Sequence, residues 1–125
     1  MALKQITLRS DLGETLEEDA RQNDRDANEL ANEALEEFLR ERQIRKIERE
    51  IEAYRGMHAE LWKQIPNHWI AVHNGKLVDQ DFDRVSLHRR VRKRYRRTAV
   101  LIRQVRPEVD EVIWWRTPST GKITR

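Results

Sequence analysis

The chain contains no cysteine. That excludes a disulfide scaffold, a thiolate nucleophile and a thiolate metal site, and it suits a reducing compartment. Long apolar runs are missing as well. No segment approaches the ~18 uncharged apolar residues of a membrane span, and the N-terminus lacks the apolar core of a signal peptide. The expectation is a soluble, cytoplasmic protein with no membrane partner. Breakers are scarce, with 4 Gly and 3 Pro in 125 residues, and the first Pro is Pro66. Up to about residue 65 almost everything therefore reads as helix.

What the chain has in abundance is charge. Asp, Glu, Lys and Arg make up 38% of it and the mean hydropathy is -0.92. The apolar residues nevertheless fall in periodic clusters, so the reading is folded structure with extended, solvated helices rather than disorder. The length allows one ordinary domain or two very small ones. The net charge of +3 conceals an asymmetry: residues 1–66 carry 11 Lys/Arg against 16 Asp/Glu, and residues 67–125 carry 14 against 6. The halves stand at -5 and +8, which points to two functional regions and makes the basic one a candidate to meet a polyanion.

The exception to the helical N-terminal half is Gln5-Ile6-Thr7-Leu8-Arg9. Its period-two alternation predicts a strand with Ile6 and Leu8 on one face and Gln5, Thr7 and Arg9 on the other. A helix start follows at once, so nothing nearby can pair with it, and an isolated ribbon is not stable in water. A second copy of the chain, giving a two-fold antiparallel ribbon, is the simplest remedy. A short helix is expected over about residues 11–23, capped by Ser10 or Asp11, with Leu12, Leu16 and Ala20 on one face. A turn at Asn23-Asp24-Arg25 leads to Asp26-Ala27-Asn28-Glu29, which has the form of a capping box. Ala27, Leu30, Ala31, Ala34, Leu35, Phe38 and Leu39 then make a full helical stripe.

Strand, short helix, tight turn and longer helix over residues 4–42 resemble the ribbon-helix-helix proteins of the MetJ/Arc type. The resemblance implies an interlocked homodimer through residues 4–39, with the paired strands in the major groove of double-stranded DNA. It implies base contacts from Gln5, Thr7 and Arg9, and a phosphate contact near Asn28. Gln and Arg suit adenine and guanine edges. The places where that family carries Gly and a Ser or Thr cap are Asp24 and Asp26 in this chain, and carboxylates repel a phosphate. Two functions stay open: a transcriptional repressor or antitoxin that reads DNA, and a dimeric protein-interaction module that no longer does.

No helix stop follows Leu39. Ile44, Ile47, Ile51, Tyr54, Leu61 and Ile65 keep a three-four spacing with His58 interrupting, which predicts an arm over residues 43–66, continuing to about Lys63 or kinking at Gly56. This stripe suits either a coiled coil or packing on the C-terminal domain. Residues 67–125 read as a small ββαββ domain, making the whole α+β. Asn74-Gly75 is the signature of a two-residue hairpin turn that pairs His73 with Lys76, Val72 with Leu77 and Ala71 with Val78. A helix is expected over residues 83–97 with Leu87, Val91 and Tyr95 inward, then strands over 99–105 and 111–117. The segment from Trp69 to Val78 is similar to the opening of a small uncharacterised domain of bacterial proteins, which implies an architecture and no activity.

The densest basic run is Arg89, Arg90, Arg92, Lys93, Arg94, Arg96 and Arg97, seven cations able to contact phosphates without sequence preference, or equally to form a solvated face or meet an acidic protein. Enzymatic signals are weak, and no cofactor is implied. Asp79-Gln80-Asp81 starts like a calcium loop, but Arg84 and Arg90 stand where Gly and Glu are needed. His58, His68, His73 and His88 are too dispersed for zinc. Pro118-Ser119-Thr120-Gly121-Lys122 lacks the first Gly of a phosphate loop and reads as a terminal turn. Trp114 and Trp115 are adjacent on a strand, so they face opposite ways. No nucleophile-base-orienter set is present, and an enzyme is not expected.

Overall fold

The computed structural model describes residues 2–109, 114–117 and 121–124, the last two segments through their backbone only. The protein is α+β. Its elements run α1 (Ser10–Gln22), α2 (Ala27–Gln64), β1 (Trp69–His73), β2 (Lys76–Asp81), α3 (Arg84–Tyr95), β3 (Leu101–Gln104), β4 (Trp114–Thr117) and β5 (Gly121–Thr124). They fall into two compact units, residues 1–42 and residues 43–125, with α2 running from the first into the second. Among the described residues no helix is long and apolar enough to cross a membrane.

The helix-first order corrects the expected N-terminal β-α-α. Residues 2–9 form no strand, and no described strand pairs with them. The reason is elementary: a single extended segment has no ladder for its N–H and C=O groups, so one chain gives it no reason to be a strand. α1 starts one residue earlier than expected, at Ser10, with Arg9 as a cap residue that makes no side-chain cap bond. Its end is well defined. Asp24 adopts φ 52°, the Arg25 N–H donates to Ala20 O (2.8 Å) and the Asp24 N–H to Arg21 O (3.4 Å), which together make a Schellman-type stop. Asp26 then caps α2, its Oδ1 accepting from the Asn28 N–H at 3.4 Å.

In the second unit a three-stranded antiparallel sheet of order β2-β1-β3 is covered on both faces. Strand alternation sends Ile70, Val72, Leu101 and Val105 to one face, where they pack with Ile51, Tyr54 and Leu61 of α2. Ala71 faces the other way and packs with Leu87 and Val91 of α3, beside Trp69, Val78, Val100 and Ile102. The three-four stripe of α2 from Ile47 to Leu61 thus packs against this sheet rather than forming a seam with another helix. α2 passes through Gly56 without a break. The expected ββαββ order runs from β1 to β4, and one further strand follows: β4 pairs with β5 in a two-stranded ribbon separate from the sheet. Gly121 and Lys122 lie in β5, while residues 111–113 and 118–120 fall outside the described residues, as do the side chains of Trp114 and Trp115.

The hairpin turn is as its sequence demands, with Asn74 at φ 52° and Gly75 at φ 76°. His73 pairs with Lys76 and Val72 with Leu77, but the next pair is Ala71 with Asp79. Val78 is the extra residue of a β-bulge, where the unbroken register had set it opposite Ala71. One inserted residue reverses the face of all that follow. Asp79 and Asp81 now lie on the α3 side, opposite Ala71 and Trp69, and there they meet Arg90.

The turn is tied down by Glu50. This residue sits within the apolar stripe of α2, is 3% exposed, and accepts from the Asn74 N–H (2.6 Å, Oε2) and the Gly75 N–H (2.8 Å, Oε1). Lys46 Nζ, one turn earlier, donates to Glu50 Oε2 (2.8 Å), to Ala99 O (2.5 Å) and to His73 Nδ1 (3.0 Å). Burial pushes the Glu50 carboxyl up, but the bond from Lys46 and the N–H bonds from Gly75 and Asn74 outweigh it and hold the carboxyl below its ordinary value. Glu50→Gln leaves the Lys46 ammonium buried without its counter-charge and turns an amide donor toward backbone donors. The expected loss is about 2–4 kcal/mol in urea unfolding at neutral pH. With the folded-state pKa below the unfolded one, Glu50's contribution is complete above the ordinary glutamate range and is lost as pH falls through the folded value. The stability difference between wild type and variant should therefore narrow in acid.

Candidate nucleic-acid interface

The residues proposed to contact DNA divide between the two units. In the first, Gln5, Thr7 and Arg9 are exposed on a segment without regular secondary structure, and Arg9 makes an exposed ion pair with Asp11 at 3.3 Å. Around them stands an unusual amount of bare apolar surface. Leu3, Ile6 (74%), Leu8, Leu12, Leu35, Phe38 (54%) and Leu39 are all exposed, and Ala20 alone among the described residues of this unit is buried. Leu16, Leu30 and Ala31 are half-buried. Polar side chains here are busy with local pairs: Arg25 with Glu33 (2.8 Å), Arg40 with Glu36 (3.0 Å) and Arg21 with Glu18 (2.5 Å). The hydrogen bond and charge of Glu33 raise the pKa of Arg25. Glu29, expected to close a capping box, instead lies 3.8 Å from Arg25.

At the turn between α1 and α2 is a shallow cavity of about 330 Å³ lined by Glu17, Arg21, Asp24, Arg25 and Asp26. Asn28, the expected phosphate contact, follows it, and its carbonyl accepts from Asn32 Nδ2 at 2.6 Å. Asp24 occupies a left-handed position, the conformation that Gly adopts most easily and Asp tolerates. The turn is thus formed with a carboxylate at its left-handed position.

In the second unit α3 ends at Tyr95 rather than at residue 97, so Arg89 to Arg94 of the basic run lie on the helix, Arg96 is its C-cap at φ 54° and Arg97 lies beyond it; the members are not equivalent. Leu87 and Val91 are buried and Tyr95 packs beside them, so the cations occupy the two flanks and the top. One flank is neutralised. Arg90 forms a bidentate pair with Asp79 (2.9 and 3.0 Å) and a further bond to Asp81 (2.8 Å). The Arg90 bond holds the Asp79 carboxyl below its usual range. For Asp81 the Asp83 N–H contributes most and Arg90 next. Arg90, one of the residues expected to contact phosphate, is here a clasp on β2, and the two carboxylates Asp79 and Asp81 that began like a calcium loop are engaged by its guanidinium.

The other flank is open. Two clefts, about 510 and 300 Å³, run along it: the first lined by Arg84, Val85, His88, Arg89 and Arg92, the second by His88, Val91, Arg92, Arg96 and Ile102 among others. Arg84 also stacks over Trp69 at 5.4 Å, and Arg94 over Tyr95 at 5.3 Å. The remaining histidines have other neighbours: His68 stacks on Phe82, His73 on Tyr95, and His58 meets the edge of Tyr54. Arg84 and His88 were not in the sequence-based set. The signal for them was the four-residue spacing Arg84, His88, Arg92, Arg96, hidden because the run looks densest five residues later.

No family model matches the chain, and neither a curated protein nor a solved structure matches it. The turn geometry carries its own test. Asp24→Gly relieves the left-handed strain and removes a carboxylate, and should raise stability by about 0.5–1 kcal/mol in chemical denaturation. An unchanged or lower midpoint would show that Asp24 contributes more than its backbone conformation costs.

Proposed function

We propose that the protein is a homodimeric ribbon-helix-helix regulator that binds double-stranded DNA, a transcriptional repressor or an antitoxin, with Gln5, Thr7 and Arg9 of two chains reading base edges in the major groove. The observation that carries the reading is the bare first unit. Fully covering seven large apolar side chains is worth on the order of 10 kcal/mol per chain, and two chains contribute twice that against an association cost of roughly 4–15 kcal/mol. A second copy is the natural cover because exposed Ile6 and Leu8 alternate before α1 and exposed Leu35, Phe38 and Leu39 recur at helical spacing in α2, the two patterns that an interlocked ribbon and helix pair would bury together. Pairing the two extended segments also gives their backbone groups the partners that one chain lacks. Thr7 and Arg9 then remain outward, and Arg suits the O6/N7 edge of guanine.

A second reading, a dimer that binds only protein, is favoured by one observation: Asp24 and Asp26 flank the turn where a phosphate would approach. The two are separated by selecting duplexes from a random-sequence pool with the full chain and measuring gel shifts on the enriched site. The DNA reading predicts an enriched sequence whose binding falls by roughly tenfold or more in Arg9→Ala and loses its sequence preference in Thr7→Ala/Arg9→Ala. Failure to enrich any sequence, with a dimer in sedimentation, would favour the protein-binding module.

A further inference from the structure

We infer that the flank of α3 carrying Arg84, His88 and Arg92, with Arg96 at its C-cap, holds the phosphate backbone of duplex DNA, supplying the sequence-independent affinity that the acidic first unit lacks; this rests on the ribbon reading for the first unit. Protein–DNA affinity comes largely from phosphates and specificity from base edges. Residues 1–42 carry 6 Lys/Arg against 12 Asp/Glu, so a ribbon mounted there has base-reading side chains and almost no electrostatic attraction. The deficit is made good elsewhere in the same chain. Between Asp83 and Glu108 there is not one acidic residue, while Lys and Arg total 10.

Three features distinguish this flank from an ordinary solvated helix. Cations of α2 pair with acids one turn away, as Arg40 with Glu36 and Lys63 with Glu60, whereas α3 has no acid within it to do so. The bulge in β2 aims both nearby carboxylates at Arg90 on the opposite flank, leaving this one unneutralised. Cations in the last turn, Arg92 to Arg94, are explained by the helix dipole, but Arg84 at the first position stands where the dipole disfavours a cation. Its guanidinium is held over Trp69. Arg84, His88 and Arg92 are four residues apart, an advance of about 6 Å along the helix, comparable to the step between phosphates on one strand, and Arg96, the C-cap, lines the second cleft beyond them. The concave clefts beneath give that strand a bed, with His88 and Arg92 common to both.

The test is the binding of the full chain to a random-sequence duplex, and to its specific site, by fluorescence anisotropy across a salt series. Three proteins are compared with wild type: Arg92→Gln/Arg96→Gln, the charge-matched Arg55→Gln/Lys63→Gln on α2, and Thr7→Ala/Arg9→Ala. Circular dichroism melts establish that each is folded. The proposal predicts that Arg92→Gln/Arg96→Gln weakens both duplexes by more than about tenfold at low salt and flattens log K against log salt by about 0.9 for each phosphate that is no longer neutralised. The α2 control should leave the slope as it was, and the ribbon variant should lose the preference for the specific site while keeping α3-dependent binding to random duplex. Equal slopes for the two charge-matched variants would overturn the proposal, and so would undiminished specific binding in Arg92→Gln/Arg96→Gln. Random-duplex binding that depends on Arg92 and Arg96 with no sequence preference in wild type would keep the α3 surface and reject the ribbon as a reader.

Discussion

An amphipathic helix must have its apolar side covered, and α2 meets that demand in two different ways along its 38 residues. From Ile47 to Leu61 the cover is the β2-β1-β3 sheet, and the result is a dry core with Tyr54, Ile70, Val72 and Val105 fully buried. From Leu35 to Leu39 one chain leaves Leu35, Phe38 and Leu39 about half exposed. The same constraint that builds the second unit from its own sequence therefore leaves the first unit asking for another molecule. The extended segment before α1 asks for the same thing through its backbone rather than its side chains. The proposed interlocked pair of chains would meet both demands.

Within the second unit, two charged residues decide which polar groups remain available. Glu50 spends its carboxylate on the Asn74 and Gly75 N–H groups and on Lys46, so a charge that looks like part of a solvated helix is in fact the clasp between helix and hairpin. Arg90 is spent on Asp79 and Asp81, and it can be only because the bulge at Val78 turns those carboxylates toward α3. The basic face left over is shaped by this internal pairing as much as by composition. A net charge of +8 over residues 67–125 says that a polyanion is attractive; the bulge says on which side of α3.

Much of this was legible in the residues. Asn74-Gly75 specified the turn and the inward triplet Leu87, Val91 and Tyr95 specified how α3 lies, while the unbroken passage of α2 through Gly56 settles one of the two courses the stripe allowed. What was not legible was every feature that depends on an inserted or missing partner. The register slip at Val78 has no sequence marker, because Val fits a paired strand as well as a bulge, and with it went the placement of Asp79 and Asp81. The strand over residues 5–9 follows period two but lacks a partner within one chain, so its pattern alone could not make it a strand. β5 was not legible because Gly121 and Lys122, which lie in it, have the composition of a turn. Glu50 did leave a trace: it interrupts an apolar stripe between Ile47 and Tyr54, where a charge needs partners.

The central claim is that the first unit is completed by a second copy of the chain through residues 5–9. Backbone amide hydrogen exchange of these residues, measured on the full-length protein over a concentration series beside analytical ultracentrifugation, addresses it directly. An antiparallel two-stranded ribbon protects the amides of alternate residues in this segment, with protection rising as the sedimenting species passes from one chain to two. Free exchange of every amide from Gln5 to Arg9 at concentrations where the protein is a dimer would contradict it, as would a monomer at all concentrations.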